Sequence, residues 1–142
     1  MKSPSQPVVV LAEDEPLVRL VTADLLMNAG CRVIEAANAS EALAALAAVV
    51  EVDLLVADVD MPPGISGFEL AREVARRWPE VAVLMTSGRP WPAEGELPRG
   101  ASFLPKPCPD DTLLSHVRLA AKRVRAPGIP GREAPLRTCL HA

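Results

Sequence analysis

Side chains of the kind used in phosphate and metal chemistry stand directly after four short apolar runs of this chain. Glu13-Asp14 follow Val8-Val9-Val10-Leu11-Ala12, and Asp58 follows Leu54-Leu55-Val56-Ala57. Thr86 follows Val81-Ala82-Val83-Leu84-Met85, and Lys106-Pro107 follow Ala101-Ser102-Phe103-Leu104-Pro105. Read as buried parallel strands, the runs bring their carboxyl ends to one edge of a sheet, where open α/β sheets bind ligands. Each motif alone has an ordinary explanation as a polar strand end, a turn cap or a loop opening. Together they do not, because clustered carboxylates repel one another and are tolerated mainly around a bound cation. Oxygen donors from one or two carboxylates, with other positions left to water or phosphate, describe a Mg²⁺ site and not a zinc or calcium cage. Asp14 and Asp58 are the expected ligands, with Glu13 binding the ion or supporting those that do. Once the ion and Lys106 neutralise the local charge, one Asp oxygen is free to attack a phosphoryl group.

The segments between the runs must position these groups, and they carry helical period and helix-end signals. Pro16 opens a helix to Ala29 with Leu17, Val21, Leu25 and Leu26 on one face, and Gly30 stops it. Cys31 to Ala36 reads as a second strand. Asn38 with Glu41, and Ser66 with Glu69, form capping-box patterns. The first opens a helix running to Val50; the second opens one carrying Phe68, Leu70, Val74 and Ala75 that Trp78-Pro79 closes. Cys108-Pro109-Asp110-Asp111 opens the last helix, with Pro109 at its first position and Leu113, Leu114, Val117, Ala121 and Val124 on one side. Between the fourth and fifth strands, Pro90, Pro92, Pro98, Gly95 and Gly100 leave room for only about one helical turn. The expected fold is therefore a doubly wound α/β domain: a five-stranded parallel sheet in the flavodoxin-like order 2-1-3-4-5, helices on both faces, and the fourth helix short or lost.

Composition narrows the function. A chain of 142 residues is one domain by length, and with 49% apolar residues but only two Phe, two Trp and no Tyr its core is built from Val, Leu, Ile and Ala. Cys31, Cys108 and Cys139 lack metal-ligand spacing and are odd in number, which speaks against a zinc site or a disulfide framework and for a reducing cytoplasm. No stretch approaches the ~20 apolar residues that span a bilayer, so no membrane partner is expected. Of the net charge of −3, residues 118–142 carry six cations against Glu133, which leaves −8 on the first 117. The basic end suits a solvated helix terminus and loose tail; docking onto an acidic partner or nucleic acid is the alternative, and nucleic acid is not the expected partner.

At this point the residues resemble a known family. Leu11-Ala12-Glu13-Asp14-Glu15-Pro16, Asp53-Leu54-Leu55-Val56-Ala57-Asp58-Val59-Asp60-Met61-Pro62, Thr86 and Lys106-Pro107 look like the receiver domain of two-component response regulators, in the family's order, from about Val8 to Val124. The resemblance implies a receiver domain over 7–125; the polar 1–6 reads as a disordered N-terminus, and 126–142, which carries no period, reads as a flexible tail. It makes Asp58 the phosphoacceptor, Glu13 and Asp14 the acidic pair, and the Asp60 backbone carbonyl a third metal contact. Thr86 and Lys106 would hold the phosphoryl oxygens, Lys106-Pro107 would be a cis peptide, and Phe103 would be the switch aromatic or else an ordinary core residue. The implied activity is not enzymatic beyond self-catalysed transfer from a phosphohistidine, on a sensor histidine kinase or a phosphotransfer protein, and hydrolysis of the acyl phosphate. With only 18 residues after Val124, output is expected to pass to a separate, unknown downstream protein from a monomer or weak dimer.

Three features depart from the family pattern. Met61 to Gly67 is one residue longer than the usual turn, Phe103 replaces a Tyr, and the Pro-rich 89–100 segment replaces much of the usual output helix, with Trp91 either docking a partner or packing over the sheet edge. Two rivals remain. Asp58-Val59-Asp60, Thr86-Ser87-Gly88, Lys106 and Asp110-Asp111 also resemble a haloacid-dehalogenase-type phosphatase, although Glu13-Asp14 precede the nucleophile strand. A receiver-like scaffold that is never phosphorylated is the other, against which the full acidic set argues.

Overall fold

The computed structural model describes residues 6–49, 51–61, 64–88, 97, 98 and 100–125, with side chains to 120. The expectations for the N-terminal residues 1–5, the 126–142 tail, Trp91 and most of the Pro-rich segment fall outside these residues, as do Pro62 and Pro63.

The strands are β1 (Val8–Ala12), β2 (Arg32–Ala36), β3 (Leu54–Asp58), β4 (Ala82–Ser87) and β5 (Ser102–Pro105); the helices are α1 (Pro16–Asn28), α2 (Ala39–Ala48), α3 (Gly67–Arg77) and α4 (Asp110–Arg125). All neighbouring strands are parallel, in the order β2-β1-β3-β4-β5. Among the described residues no helix lies between β4 and β5. Successive side chains of a strand point to opposite faces, and the core divides accordingly. Val9, Leu11, Leu54, Val56, Ala82, Leu84 and Leu104 pack with Ala23 and Leu26 of α1 and Leu113, Val117 and Ala120 of α4. Val8, Val10, Leu55, Ala57, Val83, Met85 and Phe103 pack with α2 and α3 on the other side.

Several helix ends follow from local chemistry. Ser66 Oγ accepts from the Glu69 amide at 3.1 Å while the Glu69 carboxylate accepts from the Ser66 amide at 3.0 Å, a complete capping box. At α2 the Asn38 side chain accepts from the Glu41 amide at 2.8 Å, but the Glu41 carboxylate meets the Ala37 N–H. Asn38 is fully extended there (φ −161°, ψ 176°), and the bond moves one residue upstream. Pro109 lies just before the first residue of α4 and not within it: its carbonyl accepts from Thr112 and Leu113. Past α1, Gly30 at φ +98° donates to Met27 O and Cys31 donates to Leu26 O, the paired bonds of a Schellman turn. A Cβ on Gly30 would meet nothing within 4 Å, so Gly30→Ala should cost only its left-handed conformation, roughly 1–2 kcal/mol, read as a lower urea midpoint at unchanged slope.

One expected face is only half right: Leu26 is buried and Leu25 packs against the same core, but Leu17 and Val21 do not. Ala23 and Leu26 are the buried residues of α1, whereas Leu17 is 69% and Val21 60% exposed. The helix is apolar on nearly every side, so its period carries no phase. Tertiary contacts choose the inward face.

Candidate functional site

The parity that divides the core also builds the site. Continuing each strand by alternate residues on the α1/α4 side, Val9-Leu11 leads to Glu13, Leu54-Val56 to Asp58, Ala82-Leu84 to Thr86, and Leu104 to Lys106. Four groups from four strands thus reach one edge on one face. Asp58 and Thr86 are direct register partners. Phe103 lies an odd number of residues before Lys106 and so falls on the opposite face, fully buried beside its register partner Met85.

Glu13 and Asp58 are both buried, and with the more exposed Asp14 they offer carboxylate oxygens lying within 4.8 Å of one another. The Lys106 ammonium bridges two of them, 3.2 Å from Glu13 Oε1 and 3.3 Å from Asp58 Oδ2. The remaining oxygens are aimed by the main chain: Glu13 Oε2 accepts from the Glu15 amide at 3.1 Å, and Asp58 Oδ1 accepts from the Asp60 amide at 3.1 Å. Burial raises the Glu13 pKa above the usual carboxylate value, with the Asp58 charge adding to it, while the Glu15 amide and Lys106 oppose the rise. For Lys106, burial alone would lower the pKa, but the Asp58 and Glu13 charges outweigh it and hold the value above that of an ordinary lysine. An oxygen-only set of three acids fits a hard divalent cation such as Mg²⁺.

Beside this edge opens a cavity of about 450 Å³ lined by Glu13, Asp58, Thr86 and Lys106 together with the apolar Val18, Val21, Leu25 and Leu113. Asp110 also lines it. The backbone around the site is tied strand to strand: the Val59 amide donates to Thr86 O at 2.9 Å, the Lys106 amide to Ser87 O at 2.7 Å, and the Lys106–Pro107 peptide is cis. The Asp60 side chain accepts from Ser87 Oγ at 3.4 Å.

Three contributors escaped the sequence reading. Gly67 opens α3 against the end of β3, where its amide donates to Val59 O at 2.8 Å. A Cβ there would sit 2.5 Å from Val59 Cα and would also strike the Asp58 carbonyl oxygen. Its signal is a glycine in the first turn of a well-capped helix, where propensity would favour another residue. Ser87 stands in the Thr86-Ser87-Gly88 motif, but nothing in that motif marks it as a partner of Asp60. Arg19 does carry a signal: it is a single cation in the apolar stretch Leu17-Val18-Arg19-Leu20-Val21.

A doubly wound domain with three acids, a hydroxyl and an ammonium at the carboxyl edge of its sheet carries the groups that a phosphate or a metal ion would need. The model of the response regulator receiver domain matches residues 9–118, and the chain belongs to that family. It is 31% identical over 119 residues to the transcriptional regulatory protein PdtaR of Mycobacterium tuberculosis, covering 82% of this chain and 58% of that protein. It is 39% identical over 107 residues to the sensor kinase CckA of Brucella abortus, covering 70% of this chain and 11% of the kinase. The crystal structure of the receiver domain from hybrid histidine kinase CckA superposes with a TM-score of 0.65 at 35% identity, covering 80% of this chain and 98% of that one. The chain spans between 8% and 58% of the length of seven curated relatives it matches, these two included. These two relatives are a transcriptional regulatory protein and a sensor kinase, and membership of the receiver family favours a phosphoacceptor role over the phosphatase or the inert scaffold. Among the described residues no helix is long and apolar enough to cross a membrane.

Proposed function

We propose that this chain takes a phosphoryl group onto Asp58 from the phosphohistidine of a sensor kinase or phosphotransfer protein, and that the phosphorylated surface is read by a separate protein. The observation that carries the reading is the Lys106 ammonium held between Glu13 and Asp58 at 3.2 and 3.3 Å, with Asp14 completing the acid cluster. In the transfer an Asp58 carboxylate oxygen forms a bond to phosphorus, the P–N bond breaks, and its electron pair returns to the imidazole nitrogen, which takes up a proton. Asp60 N–H and Lys106 orient the carboxylate for in-line approach. Lys106 and Thr86 then hold the oxygens of the transferred group, since catalysis here is position and electrostatics. Glu13, Asp14, Asp58 and the Asp60 carbonyl would hold Mg²⁺, which when bound supplies positive charge to the phosphoryl oxygens.

The donor's approach is suggested by the cavity. Val18 and Val21 of α1 line the same space as Asp58, and Leu17 and Leu20 continue the exposed apolar surface outward. A donor helix covering this surface would bring its imidazole to Asp58. Thr86, drawn toward the acquired charge, would then reshape the end of β4, biasing two pre-existing surface arrangements. Phe103, already packed inside, supports that rearrangement from the opposite face.

The test is chemical. Incubation with Mg²⁺ and acetyl phosphate or a phosphorylated kinase should yield about one phosphoryl group per chain that survives acid and is released by alkali, as an acyl phosphate. Sustained turnover of a phosphate monoester without such a species would overturn the reading.

A further inference from the structure

Resting on the reading that the acid cluster takes Mg²⁺, we propose that Arg19 is the positioning residue that sets the cluster's affinity for the ion. Arg19 lies one turn into α1, and its side chain is only 21% exposed. Its Nη1 donates to the Glu13 carbonyl oxygen at 2.8 Å, and its Nε donates to Glu35 Oε1 at 3.3 Å, on β2. Next to Glu35, the Ala36 carbonyl accepts from the Glu13 amide at 3.0 Å. Both polar main-chain atoms of Glu13 are thus pinned, one to β2 and one to α1.

The consequence reaches Asp14 through the peptide plane. Glu13 C and O, Asp14 N and both Cα atoms are coplanar, so fixing the Glu13 carbonyl fixes the direction in which Asp14 leaves the strand. Three carboxylates within 4.8 Å of one another repel, and rotation of this peptide would let Asp14 swing away from the other two. Arg19 opposes that rotation through a partly buried, charge-assisted bond. Glu35 holds the guanidinium in the orientation that makes the bond. Residues that orient metal ligands in this way change metal affinity without touching the ion.

The test compares the unfolding midpoint of the full chain with and without saturating Mg²⁺, together with calorimetric titration of Mg²⁺, for wild type, Arg19→Gln, Arg19→Lys and Glu35→Gln. Arg19→Gln should bind Mg²⁺ about tenfold more weakly, and its midpoint should rise less on Mg²⁺ addition. Arg19→Lys, which keeps one donor for the Glu13 carbonyl, should recover most of the rise, and Glu35→Gln should retain it. A role confined to stability would lower every midpoint and leave the Mg²⁺ increment unchanged. An unchanged increment in Arg19→Gln overturns the proposal; if that variant does not fold, an Arg19→Lys increment below that of Glu35→Gln supports it and an equal or larger one overturns it. A wild-type chain that takes up no Mg²⁺ sinks the metal reading and this inference together, whereas a wild type that binds while Arg19→Gln binds equally well sinks the inference alone.

Discussion

Asp58→Asn will abolish incorporation of phosphoryl label from acetyl phosphate or a phosphorylated kinase while leaving the chain folded. The amide keeps an oxygen where Asp58 Oδ1 accepts from Asp60 N–H, so the turn after β3 retains its anchor. What it loses is a charged oxygen nucleophile, because the amide lone pair is delocalised and no acyl phosphate can form. Stability should hold or rise: removing one of the clustered acids relieves repulsion, and Lys106 keeps its bond to Glu13. Denaturant unfolding gives the stability, and acid-quenched gels give the label, which should fall at least ~100-fold, the scale of a lost nucleophile. Label on Asp58→Asn at the wild-type level would place the acceptor elsewhere.

Among the described glycines, Gly67→Ala is expected to be the most damaging single-methyl change. The added Cβ would meet Val59 Cα at 2.5 Å and the Asp58 carbonyl oxygen closer still, with the Met85 terminal methyl carbon at 2.9 Å. Met85 is flexible and can yield. The backbone of β3 cannot, since Asp58 and Val59 are bound to the sheet through the β4 pairing and the Val59 amide. Either α3 retreats, breaking the Gly67–Val59 bond, or β3 is pushed toward the acid cluster. Overpacking of this kind costs roughly 1–3 kcal/mol, and the displaced turn carries the Asp60 amide that orients Asp58. Gly67→Ala should therefore lower both the urea midpoint and the rate of phosphorylation by acetyl phosphate, whereas Gly30→Ala, with open space around its Cβ, should lower only the midpoint. A Gly67→Ala chain as stable and as readily phosphorylated as wild type would show that α3 does not press on β3.

Most of the site was legible because it obeys a period of two along strands that the sequence marks by apolar runs. Once Val8–Ala12, Leu54–Asp58, Ala82–Ser87 and Ser102–Pro105 are strands, parity alone aligns Glu13, Asp58, Thr86 and Lys106 and sends Phe103 to the other side. Caps were equally readable where donor and acceptor lie three residues apart, as at Ser66 and Glu69. The reading failed where a helix carries no polar face to orient it. In α1, Leu17 and Val21 fit a buried stripe with Leu26 as well as Ala23 does, and only docking on the sheet decided between them.

The order of the strands' chemistry, the acids that cluster, the lysine that neutralises them and the family to which they belong were determined by the sequence itself, because each is encoded in residue type and short-range spacing. The tertiary structure decided which face α1 turns to solvent, that Arg19 and Glu35 clamp the Glu13 peptide, and that no side chain fits at Gly67. Those depend on distances between segments far apart in the chain, to which local periodicity is blind.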